Sequence, residues 1–199
     1  MKRKRRKSKT MVHVSFDTVE QFIPRVPQQR CINEDSTTPR ICVAPDLTSA
    51  LQAIPQAGEV IYNMKRIGVP VIIHAYYLQC GAVLKADEIN VPDACVTGEM
   101  WLTDAPSKVY RCDFELTDSY TVLRKDKNGT EGRMLLCARY KRVKHQENWK
   151  NLAYHVSDTT ERAEEFLKKK PDITFRTFMS NLYDELIQCM NIEPKDIEF

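Results

Sequence analysis

Arg40-Ile41-Cys42-Val43-Ala44-Pro45-Asp46-Leu47-Thr48-Ser49-Ala50-Leu51 holds two elements and the switch between them. Arg40 to Ala44 is a short, continuous apolar run, which predicts a buried strand. Pro45-Asp46 then opens a helix. Asp46 is a good N-cap, and Leu47, Ala50, Leu51 and Ile54 share one helical face. The predicted helix runs from Leu47 to about Ile54, where Pro55 stops it.

Upstream, Met11-Val12-His13-Val14-Ser15-Phe16 predicts a first strand. Val12, Val14 and Phe16 alternate with His13 and Ser15, so those two share the opposite face. From Pro24 to Pro39 the chain reads as a long loop. Pro24 and Pro27 flank Arg25 and forbid a helix, and the polar cluster after them forbids a packed strand.

Downstream, Val69 to Leu78 is rich in β-branched and aromatic residues and predicts a strand. Asn90 to Ala94 reads as a turn, and Cys95 to Leu102 as a further strand. Lys108 to Leu116 alternates like a strand. Tyr120–Arg124 and Arg133–Val143 flank Asp126-Lys127-Asn128-Gly129, a strong hairpin signal. Asn128-Gly129-Thr130 also matches a glycosylation acceptor pattern, but with no export signal in view the turn reading is preferred. Asp158-Thr159-Thr160-Glu161 resembles a capping box for a helix to Lys170. From Thr174 to about Met190, Phe175, Phe178, Met179, Leu182, Leu186 and Met190 recur at helical spacing. The expected class is α+β: a mainly antiparallel β body with one short helix, followed by a C-terminal pair of helices. The expected layout is a disordered basic tail over 1–10, a mainly β domain over 11–156, and a helical extension over 157–199 packed on it.

The net charge of +3 conceals a split. Lys2, Arg3, Lys4, Arg5, Arg6, Lys7 and Lys9 supply seven positive charges in the first nine residues. Removing those seven from 30 basic residues leaves 23 against 27 acidic ones, so the body carries −4. The tail suits non-specific contact with nucleic-acid phosphates, and any bound anion in the body needs specific arginines. The longest apolar stretch, Val69 to Leu84, contains Pro70, His74 and Gln79, too polar and too short for a membrane helix. No apolar region backs the basic N-terminus, so a secretory signal is not expected and a cytoplasmic location is. The 7 cysteines are odd in number, scattered and without a CxxC pair, which predicts reduced, mostly buried thiols and no metal site.

The chain has no GxGxxG, Walker A, GxSxG or HExxH motif, and only 6 glycines. Candidate chemistry is therefore dispersed. His13 sits mid-strand beside Ser15, either a half-exposed structural histidine or a donor at the floor of a cleft. Arg25 and Arg40 are each stiffened by neighbouring prolines, which suits anion recognition, although Arg40 could equally just flank its strand and Arg25 pair with Glu34 or Asp35. Glu99 lies in Thr97-Gly98-Glu99-Met100-Trp101-Leu102. Simple alternation would point it to solvent, whereas burial among apolar neighbours would raise its pKa as catalytic carboxylates require. Tyr62, Tyr76 and Tyr77 are stacking platforms or core aromatics.

A strand with His13 and Ser15, a strand leading into a short helix (RICVAPDLTSAL) and a late strand with glutamate (TGEMWLT) together resemble the ADP-ribosyltransferase-like fold over about residues 11–116. RES-type toxins and RNA 2′-phosphotransferases are outlying branches of that fold, and the latter use arginines where this chain has Arg25 and Arg40. The resemblance implies NAD as substrate, with His13 and Ser15 on a ribose, Arg25 or Arg40 on the pyrophosphate, and Glu99 as the catalytic residue holding the nicotinamide ribose. It implies no metal. The chain departs from the family's pattern in having Val14 after His13, Ile41-Cys42 where a tyrosine is usual, and Thr97 two residues before Glu99. The segment also looks like small uncharacterised proteins of phages and mobile elements. The competing expectation is therefore a non-catalytic accessory protein that binds a host protein or nucleic acid.

Overall fold

The computed structural model describes residues 9–28, 33–67, 70–87, 90–125 and 131–144. The alternating N-terminal run forms β1 (Lys9–Ser15), with Val12 and Val14 buried on one side and Met11 and His13 on the other. The strand starts earlier than expected: Lys9 and Thr10 pair with Cys80 and Gln79, so both belong to the sheet and not to a tail. The apolar run at 40–44 gives β2 (Ile41–Val43), followed by helix α1 (Leu47–Gln52). Asp46 caps α1 as its sequence position predicts, accepting the Ser49 N–H at 2.9 Å.

A helix that the sequence reading did not assign follows at once, α2 (Ala57–Ile67). Its buried residues Ala57, Val60, Ile61 and Met64 have helical spacing, interrupted by Gly58. That glycine weakens intrinsic helix propensity but is needed by the packing. A Cβ at position 58 would lie 2.2 Å from the carbonyl oxygen of Arg133. Tertiary contact, not propensity, makes this helix.

The remaining elements are β3 (Ile72–Cys80), β4 (Leu84–Lys85), α3 (Ala94–Thr97), β5 (Met100–Leu102), β6 (Lys108–Lys125) and β7 (Glu131–Val143). The strands form two antiparallel sheets, one ordered β1-β3-β6-β7 and a smaller one ordered β2-β5-β4. The α+β class with a mainly antiparallel body therefore holds. The expected strand from Cys95 to Leu102 does not. Its first part is the single turn α3, ended by Gly98 in the left-handed region at φ 63°, and only Met100–Leu102 is strand. The expected hairpin turn at Asp126–Gly129, the expected C-terminal pair of helices and the basic residues Lys2–Lys7 lie outside the described residues.

Helices α1 and α2 cover one face of the larger sheet. There Phe16, Leu51, Val60, Ile61, Ile73, Leu116 and Leu135 form the main core. Full burial of each such side chain contributes roughly 1.5–3 kcal/mol. The helices also satisfy open backbone groups of β7, one of the two edge strands of this sheet. Glu59 accepts the Arg133 N–H at 3.0 Å, and Gln52 donates to the Leu135 and Leu136 carbonyls at 3.0 and 3.2 Å. Against the opposite face, Met11, Tyr76, Leu78 and Cys80 pack on Ile41, Val43 and Leu102 of the smaller sheet. Beside them His74 Nδ1 meets Asp113 Oδ1 at 3.0 Å, and Arg111 grips both oxygens of Asp113 at 2.8 Å. The five cysteines among the described residues are unpaired; Cys80 is buried, whereas Cys95 and Cys137 are exposed, so the expectation of mostly buried thiols fails for those two.

Because the Gly58 contact is with backbone, it cannot be relieved by a side-chain shift. Gly58→Ala is expected to destabilise the fold by roughly 1–3 kcal/mol, despite alanine's better helix propensity. Urea denaturation of the two proteins checks this, and a gain in stability would refute the close packing.

Candidate functional site

The cleft originates in the way β2 meets two strands. Ala44, just past β2, exchanges both backbone hydrogen bonds with Val12 at 2.8 and 2.9 Å. Along its own length β2 pairs with β5 instead. Among the described residues, the backbone bridge between the two sheets is therefore confined to Val12–Ala44. The loop after β1 walls the opening. It is tied down by the Val19 N–H, donated to Tyr76 Oη at 2.7 Å, and by a two-way backbone bridge between Arg25 and Arg40 at 3.1 and 2.9 Å. The result is a cavity of about 590 Å³ lined by His13, Ser15, Arg25, Arg40 and Glu99, together with Phe22, Cys42 and Ile54. That volume falls within the range of small-molecule sites.

His13 lies beside the contact between the sheets. Its Nδ1–H donates to the carbonyl of Cys42 at 2.8 Å, which fixes the tautomer, since a carbonyl can only accept. Phe22 packs edge-on against the ring at 5.3 Å. Burial, then the nearby Arg25 charge, push the imidazole pKa down against the opposing effect of the Cys42 carbonyl. The ring is therefore neutral at neutral pH, with Nε2 as a hydrogen-bond acceptor. Ser15 Oγ, on the same strand face, accepts the Asp17 N–H at 3.1 Å and keeps its own proton to donate.

Glu99 is only 6% exposed, although simple alternation would have turned it to solvent. The left-handed Gly98 re-aims the chain before β5 begins, so the carboxylate points inward. Trp101 Nε1 donates to Oε1 at 2.8 Å, and the Cys42 thiol is hydrogen-bonded to the same carboxylate. Desolvation nevertheless dominates and raises the Glu99 pKa, helped by the charges of Glu34 and Asp93. The Cys42 thiol is pushed up as well, first by burial and then by Glu99, so it is a donor and not a nucleophile.

The two arginines differ. Arg40 is 1% exposed and largely committed to protein partners. Its Nη2 pairs with Glu34, its Nη1 donates to the carbonyls of Asp35 and Thr38 at 3.1 and 3.0 Å, and its guanidinium stacks 4.2 Å from the Trp101 ring centroid. Its Nε is buried with no partner among the described residues. Arg25 is exposed at the rim and makes no ion pair with a described residue; Glu34, its expected partner, is taken by Arg40. Asp35, the other expected partner, binds the Thr37 and Thr38 N–H groups at 2.7 and 3.0 Å. None of the three candidate tyrosines is among the cavity's lining residues. Tyr62 lies under Arg133, 3.5 Å from its ring centroid, and Tyr76 packs in the core.

Phe22, Ile54 and Trp101 were not singled out as site residues from the sequence. Phe22 had one signal, an aromatic in the loop between the first two strands. Among the described residues no group of three or more His, Cys, Asp or Glu side chains is placed to hold a metal, and no helix is long and apolar enough to cross a membrane. No protein-family model matches the chain, and neither the curated proteins nor the solved structures compared with it include a match.

Two site residues titrate in opposite senses. A depressed His13 pKa stabilises the fold above the free-histidine value of 6.5, and that contribution is lost as the pH falls below it. A raised Glu99 pKa costs stability as the pH rises above the free value of 4.5 toward the folded one. Glu99→Gln removes the buried charge and retains an acceptor for Trp101. It is expected to be more stable than the parent at pH 8 by roughly 0.5–2 kcal/mol, with the difference shrinking toward pH 5. Chemical denaturation across that range tests it, and a Gln variant less stable at pH 8 would show the carboxylate to be a net structural asset.

Proposed function

We propose that this cleft binds NAD and cleaves its nicotinamide–ribose bond, passing the ADP-ribosyl group to an acceptor or to water. The observation that carries the reading is that His13, Ser15, Arg25, Arg40 and Glu99, chosen from separate parts of the chain, line one cavity. Each contributes chemistry suited to that ligand. The neutral His13 Nε2 accepts from a ribose hydroxyl, and Ser15 donates. Arg25 offers the exposed guanidinium for the pyrophosphate, while Arg40 has only Nε uncommitted. The ionised Glu99 accepts a hydroxyl of the nicotinamide ribose and stabilises positive charge as the ring becomes oxocarbenium-like.

The step balances without a metal or redox partner. The glycosidic C–N bond breaks, and its electron pair leaves with nicotinamide, which becomes neutral. An acceptor hydroxyl or water adds to the ribose carbon and releases its proton. A buried carboxylate with a raised pKa is well matched to receive that proton.

The test is NAD consumption by purified protein, followed through nicotinamide release. Glu99→Gln is expected to lower kcat by roughly 10²–10³-fold, as for loss of one transition-state partner. His13→Ala is expected mainly to raise KM. No NAD binding by the parent protein, or full turnover in Glu99→Gln, would dismiss the reading.

A further inference from the structure

We infer that Trp101 is the positioning residue for Glu99, and that Arg40 holds Trp101 in place for that task; the inference rests on the role of Glu99 proposed above. A carboxylate at the wall of a cleft can rotate, and a free rotor presents no fixed oxygen to a ligand. Here the indole N–H pins Oε1 at 2.8 Å. An indole can only donate, so it favours the ionised carboxylate over the acid.

The tryptophan is itself immobilised. It is 5% exposed and stacks beneath the Arg40 guanidinium at 4.2 Å. Arg40 is locked in turn by Glu34 and by the carbonyls of Asp35 and Thr38. That turn is closed by the Asp35 carboxylate, which accepts from the Thr37 and Thr38 N–H groups at 2.7 and 3.0 Å and from their hydroxyls at 2.9 and 2.6 Å. These bonds hold the Asp35 pKa well below the usual carboxylate range, the Thr38 hydroxyl contributing most. A chain of contacts thus runs from an exposed turn, through a buried cation and an indole, to the carboxylate. The other groups acting on Glu99 are the Cys42 thiol from β2, the Glu34 charge from the loop and the Asp93 charge from the start of α3. Among these only the thiol is a second donor, so the indole is the principal directional restraint.

The chain has 2 tryptophans, so the Trp101 indole proton can be followed by nitrogen-15 NMR in the intact protein. In the parent it is expected to shift with pH along the Glu99 titration, and in Glu99→Gln to stay flat. Trp101→Phe keeps the stacked aromatic and removes the donor. Its expected effects are a rise in the Glu99 pKa, the same upward move of the acid limb of the kcat profile, and a fall in kcat of roughly 10–100-fold, with KM changed less than about threefold. An indole proton indifferent to Glu99, or a Phe variant with unchanged kcat and pH profile, overturns the inference. A parent protein that ignores NAD while its indole proton still follows Glu99 dismisses the ADP-ribosyl reading and upholds the clamp.

Discussion

Two backbone hydrogen bonds, between Val12 and Ala44, are the constraint on which the site depends. They join the edge of the larger sheet to the end of β2 at one point only. Along Ile41–Val43 the strand pairing of β2 is with β5, so the two sheets do not merge into one. The His13 imidazole adds a second tie between the sheets by bonding the Cys42 carbonyl of β2. A continuous sheet through β1 and β2 would have no room for a cleft. Two fully separate sheets would not hold His13 and Glu99 to one cavity.

The electrostatics divide the buried charges into two kinds. Arg111 and Asp113 pair on the larger sheet with the His74 ring bonded to the same carboxylate, and Arg40 and Glu34 pair in the loop. Pairs of this sort are weak contributors to net stability but are costly to break by removing one partner. Glu99 is of the other kind. It has donors, yet no cation among the described residues is bonded to it, and the acidic neighbours Glu34 and Asp93 oppose its charge. A buried carboxylate at a cavity wall, with its pKa raised by desolvation, is a candidate for chemistry, which is the role proposed for it above.

Arg40 shows how one residue type carries different weight once its surroundings are known. Its position after Pro39, at the start of a strand, gives it a stiff backbone, and the sequence offers it equally as an anion ligand or a flank. The loop folds back and surrounds it with carbonyls, Glu34 and an indole, so its influence on a ligand is exerted mainly through Trp101 and Glu99. Arg25, flanked by prolines in the same loop, keeps its guanidinium at the rim.

Local rules were enough for the strands with clean alternation or continuous apolar runs, for the Asp46 cap and for the α+β class. They were also enough to nominate His13, Ser15, Arg25, Arg40 and Glu99, because each stood out against its immediate neighbours. Helix α2 was not legible, since Pro55 and Gly58 mask its pattern and only the approach to β7 explains the glycine. The turn of helix before Glu99 was not legible either, because β-branched Val96 and Thr97 favour a strand and the Gly98 cap overrides them. The tautomer of His13, the burial of Glu99 and the capture of Arg40 by Glu34 were decided by tertiary structure alone. His13 and Glu99 depend on packing between segments far apart in the chain, and Arg40 on how its loop folds back around it, and no local propensity encodes either.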